Sequence, residues 1–140
     1  MGDTAVINNR LVTVEIKRFG QRPAITTGLS VADVGAVIRG LEGEPDVTVM
    51  VSWTGTTDEN IMFLVNGASV FLGMNRDLDG VFQYVARDNA DCQGTQQFMI
   101  TGTPTDIESR YVVDIETAAT VVKAWLGSGE ESSLGWWERQ

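Results

Sequence analysis

The sequence predicts an α+β domain: an antiparallel meander sheet of about six to eight strands with two helices packed on it, in the order β-α-β6-α-β. Three observations predict it. Between residues 47 and 113, apolar residues alternate with polar ones or gather in short runs bounded by turn residues. Two segments, 30–41 and 115–126, carry apolar residues at helical spacing. The strand-like runs are joined by short turns, which favour antiparallel neighbours.

Residues 1–10 read as a loose leader of one domain that spans 1–140. Val12, Val14 and Ile16 alternate with Thr13, Glu15 and Lys17, the pattern of a half-buried strand. FGQRPAITTG then reads as loop. Ser30 is placed to cap a helix through Leu41, with Asp33 completing a capping-box spacing. Val31, Val34, Val37, Ile38 and Leu41 form its stripe, and Gly40 and Gly43 mark its end. Val47, Val49, Val51 and Trp53 share one face of the next strand. IMFLV and ASVFLG follow, joined at Asn66-Gly67, a strong hairpin signal. NRDLDG, VFQYVAR, DNADCQG and QQFMIT read as turn, strand, turn and strand. TGTPTDIES reads as loop and RYVV as a short strand. Asp114 caps a second helix whose apolar face is Ile115, Ala118, Ala119, Val122, Trp125 and Leu126, ended by Gly127 and Gly129. SLGWWER is a closing strand.

Composition narrows the function. Apolar residues are 43% and charged residues 21%, an ordinary globular balance. No apolar run approaches the roughly 20 residues needed to span a bilayer. MGDTAVINNR lacks the basic flank and apolar stretch of a secretory signal, so a cytoplasmic protein is expected. The chain has no histidine, which removes Ser-His-Asp and Cys-His nucleophiles and His-ligated zinc. One cysteine, Cys92, cannot pair internally or build a thiolate metal site. Net charge is −9, from 19 acidic and 10 basic residues. Such a surface repels nucleic acid and anionic lipid and suits a cationic partner.

Sequence motifs for chemistry are sparse. Asn75-Arg76-Asp77-Leu78-Asp79-Gly80 has the opening spacing of a calcium loop, but Ala86 stands where the bidentate Glu belongs, and the flanks read as strands. It is expected to be a hairpin turn. The 15 glycines form no phosphate loop. The carboxylate pairs Asp58/Glu59 and Asp106/Glu108 read as solvated loop charges. No catalytic residue, metal or cofactor is expected, and the chain reads as a binding protein, not an enzyme. The contacts expected for a cationic protein partner are the acidic turns, Asp58, Glu59, Asp77, Asp79, Asp88 and Asp91, together with Trp137. Alternate turns of a meander share one end of the sheet, so the first and third acidic turns are expected on one rim.

The C-terminal two-thirds resembles the bacterial immunity protein family Imm1. The likeness lies in FLGMNRDLDGVFQYVARD, in the glycine of ITGTPT, and in YVVDIETAATVVKAWLGSGEESSLGWWER. Val113, Ala118, Ala119, Trp125, Gly129, Leu134 and Trp136 match the family's strand, helix, glycine and apolar-x-Trp ending. Where the family often has an Arg-Pro or similar pair, this chain has Glu130-Glu131. The resemblance implies an α+β neutraliser of a polymorphic toxin, often of the nucleic acid deaminase type, bound in the cytoplasm. It supplies no contact residues. The runner-up is a small-molecule-binding α+β module or a carboxylate-dependent enzyme, its pocket lined by the apolar hairpin 61–72.

Overall fold

Strands whose apolar residues fall on one side need a cover for that side, and here two helices supply it. The computed structural model describes residues 11–55, 59–76, 81–85, 93–128 and 137–139. The chain runs β1 (Val12–Arg18), β2 (Ala24–Leu29), α1 (Val31–Arg39), β3 (Val47–Trp53), β4 (Glu59–Asn66) and β5 (Ser69–Arg76). It continues through β6 (Val81–Val85), β7 (Thr95–Ile100), β8 (Thr103–Glu108), a 3₁₀ turn (Ser109–Tyr111), β9 (Val112–Asp114), α2 (Ile115–Ser128) and β10 (Trp137–Arg139). Seven strands form a path in the order β10-β6-β5-β4-β3-β1-β2, and β9 joins them through β5. Strands β7 and β8 make a separate two-stranded ribbon. All pairings are antiparallel, and β3 to β6 form the expected meander.

Register turns alternation into a core. Ile16, Val49, Phe63 and Leu72 form one cross-strand row, and Val47, Val65, Val70 and Val113 form another. These rows, apart from half-buried Ile16, are buried in one cluster with Val34, Ile38 and Leu41 from the α1 segment. The whole apolar face read for the second helix is buried there too, with Trp125 only 1% exposed at its centre. Both helix starts are capped as expected. Ser30 Oγ accepts from the Asp33 amide at 3.2 Å, and Asp114 Oδ1 accepts from the Thr117 amide at 2.7 Å. Gly40 caps the end of α1.

Three readings need correction. Residues 24–29 are not loop but the edge strand β2. Residues 24 to 28 are exposed, so no buried face imposes an alternating pattern, and Pro23 and Gly28 punctuate the segment as a loop would. The TPTDIE stretch is also a strand, β8, with Pro104 opposite Met99. A two-stranded ribbon is all edge, where proline is tolerated. Gly127 lies inside α2, which runs to Ser128, while Gly129 falls outside the described residues. Two strands therefore precede α1, and seven lie between the helices.

The central hairpin is one residue out of phase with the dipeptide that announced it. Asn66 pairs with Ser69, so the loop is Gly67-Ala68, with Gly67 left-handed at φ 66°. Glycine first and left-handed is the type II′ pattern, which matches strand twist.

Candidate interaction surface

Antiparallel register decides which strand ends share a rim. Glu59 pairs with Arg76, and Arg76 pairs with Val81. Val12 pairs with both Trp53 and Leu29. These residues mark one end of the sheet. Helix α1 also begins there, at Ser30, with Asp33 exposed in its first turn. The opposite end carries Arg18, Ala24, Val47, Asn66 and Ser69.

Of the seven expected contacts, Asp58, Asp77, Asp79, Asp88 and Asp91 lie outside the described residues. Glu59 opens β4 and Trp137 opens β10, paired with Val85. In sequence, Asp58 immediately precedes Glu59, and Asp77 immediately follows Arg76, the cross-strand partner of Glu59.

Because those five residues lie outside the described residues, so does the rim expected of the first and third acidic turns. Trp137 pairs with Val85, the residue after Tyr84, which pairs with Gly73 near the middle of β5.

The acidic end has described neighbours that sequence reasoning did not nominate. Thr13, Ser52 and Asn60 form a cross-strand polar row one residue in from the rim. Thr13 Oγ1 lies 2.8 Å from Thr54 Oγ1. Asn60 is 7% exposed, and its Oδ1 has no hydrogen-bond partner among the described residues. Asp33 adds a carboxylate at the N-terminus of α1. Of these, the sequence pattern singles out only Asp33, as the companion of the Ser30 cap.

At the opposite end the polar side chains are engaged structurally. Asp46 is buried, and its two carboxylate oxygens accept from the amides of Thr101 at 2.9 Å and Gly102 at 2.7 Å. Both turn residues are left-handed, at φ 48° and 81°. Asn66 extends the ladder with its side chain: Oδ1 accepts from the Met99 amide at 2.7 Å, and Nδ2 donates to the Met99 carbonyl at 3.0 Å. Ser69 Oγ donates to Gln96 Oε1 at 3.2 Å. These contacts hold the β7–β8 ribbon against the sheet. Asp46 and Asn66 act across 55 and 33 residues of sequence, a link that no local pattern carries.

Two ion pairs displace the pKa values of both their members. Arg18 Nε donates to Glu44 Oε1 at 2.6 Å and Nη2 to Oε2 at 3.1 Å. That bond holds the Glu44 carboxyl below its ordinary range against the opposing pull of burial, and raises Arg18. Arg39 and Glu116 join the two helices in the same forked way, again lowering the acid and raising the base. Among the described residues, no three metal-ligating side chains come together. Asp106 and Glu108 stand on β8, not in a loop, with Glu108 Oε2 3.8 Å from Arg110 Nε. No helix among the described residues is long and apolar enough to cross a membrane.

No protein-family model matches the chain, and no curated protein matches it.

Proposed function

We propose that the chain is an immunity-type protein that binds a toxin domain in the cytoplasm and occludes its basic active cleft with the acidic end of the sheet. The observation that supports this reading is the Glu59–Arg76–Val81 register, which brings the strand ends next in sequence to Asp58, Asp77 and Asp79 to one end of the sheet, where Asp33 also stands. Single-sign charge gathered at one edge of a rigid sheet steers and orients a cationic partner. The net charge of −9 acts in the same sense. Carboxylates on rigid strand ends need no catalytic geometry to block a cleft that binds polyanions.

Co-expression with the toxin domain encoded beside this chain tests the proposal. Protection and a 1:1 complex weakened by salt are the expected results. Reversing the rim as Asp58→Lys with Glu59→Lys slows association by about tenfold or more. The same reversal at Asp88 and Asp91, which do not adjoin the Glu59–Arg76 pair in sequence, has a much smaller effect. Absence of both binding and protection overturns the proposal, and equal effects of the two reversals overturn the assignment of the rim.

A further inference from the structure

Strand β2 ends the sheet, with β1 on one side and no strand on the other among the described residues. An open antiparallel edge presents about half its backbone N–H and C=O groups outward. Proteins usually guard such edges with charge, proline, a β-bulge or cover, and here the guards are the register shift beside Gly28 and Pro23 just before the strand. Over Ala24–Leu29 the sequence AITTGL has no charge and no proline. Ile25, 61% exposed, adds an apolar side chain. The Gly28 irregularity sits near one end, leaving Ala24, Ile25 and Thr26 in regular pairing with β1.

The charges flanking this neutral edge differ in sign. Arg22 precedes β2 at one end of the sheet, and Asp33 follows it in the first turn of α1 at the other. Both are exposed, and neither makes an ion pair among the described residues. Antiparallel pairing of β2 with a second β2 about a two-fold axis brings the Arg22 end of each copy to the Asp33 end of the other. The same contact is made twice, as an isologous interface requires. A foreign strand has no such built-in complementarity.

We infer that two copies of this chain pair through β2 into one continuous sheet. Asp33 is shared with the acidic end of the sheet, whereas Arg22 and Thr26 are not, so the dimer contact is tested without the toxin. Sedimentation of the full chain across a wide concentration range tests it, and a reversible monomer–dimer equilibrium is expected. Thr26→Lys places two like charges beside the two-fold axis and shifts the equilibrium to monomer while the circular dichroism spectrum stays that of the wild type. Arg22→Glu or Asp33→Lys alone weakens the dimer about two- to thirty-fold, the range for two exposed ion pairs, and the double variant recovers it. A wild-type chain that stays monomeric overturns the inference, as does a dimer indifferent to both Thr26→Lys and Arg22→Glu. Loss of toxin binding by Thr26→Lys in a monomeric wild type assigns the edge to the toxin instead, and also overturns it.

Discussion

Asp46 is the side chain whose removal says most about how this fold is joined. Its carboxylate accepts the amides of Thr101 and Gly102 at 2.9 and 2.7 Å, linking the start of β3 to the turn of the β7–β8 ribbon. Hydrogen bonds to charged groups contribute about 1.5–3 kcal/mol each, but both amides belong to exposed residues and regain water when released. The pair is therefore worth about 2–4 kcal/mol. Asp46 is itself left-handed at φ 50°, a conformation Asp tolerates and Ala resists by about 1–2 kcal/mol. Asp46→Ala thus loses about 3–6 kcal/mol, and Asp46→Gly, which keeps the backbone relaxed, loses about 1–2 kcal/mol less. Urea unfolding followed by tryptophan fluorescence measures both. Amide exchange over residues 95–108 shows whether the ribbon opens first. An Asp46→Ala variant within about 0.5 kcal/mol of wild type refutes the tether, since the hydrogen bonds alone exceed that. A glycine variant less stable than the alanine one refutes the backbone part.

Other perturbations follow from single contacts. Trp125→Ala empties the centre of the core and costs about 3–5 kcal/mol in denaturant unfolding, enough to leave a domain of ordinary stability partly unfolded. A methyl group at Gly102 would stand 2.7 Å from the Phe19 ring at φ 81°. Gly102→Ala therefore costs about 1–2 kcal/mol from backbone strain plus a clash. In a double-mutant cycle, Phe19→Ala recovers only the clash, because that ring is the side chain in the way. Glu44→Gln costs under about 1 kcal/mol at neutral pH, as the Arg18 pair is about a third exposed and screened by solvent. The folded-state pKa of Glu44 is depressed, so its contribution is present above the unfolded value near 4.5 and is lost as pH falls through the folded one. The difference between wild type and Glu44→Gln in thermal melts should accordingly vanish in acid.

What the sequence made legible is what local physics specifies. The helix stripes, the Ser30 and Asp114 caps, and the inward rows of β3 and β4 depend on spacing within one element, and all were readable. Strand β2 was not, because both its faces meet solvent and period two has nothing to enforce it. Strand β8 hid behind Pro104, since a proline rules out a central strand but not a ribbon edge. The roles of Asp46 and Asn66 lie in contacts to Thr101, Gly102 and Met99, chosen by tertiary docking. The acidic turns were visible as composition. Their arrangement depends on strand order and register rather than on local pattern, and five of the seven expected contacts lie outside the described residues.

The acidic rim and the core meet at Asn60, and stability there can be separated from binding. Its Oδ1 is buried without a hydrogen-bond partner among the described residues, and such a group costs about 1–3 kcal/mol. Leucine keeps the branched outline with no acceptor, though its methyl groups need more room than the amide. The neighbouring positions Ile61, Met62 and Phe63 already accept large apolar side chains on this strand. Asn60→Leu should therefore raise the urea-unfolding free energy by up to about 1 kcal/mol, removal of the orphaned acceptor outweighing the added bulk. A decrease refutes that balance. Affinity for the toxin partner, measured on the same variant, then separates two cases. A stabilised variant with unchanged affinity makes Asn60 a plain defect of the sheet end. A stabilised variant that binds more weakly shows that the strain beside Glu59 is kept for the complex, where a donor from the partner satisfies it.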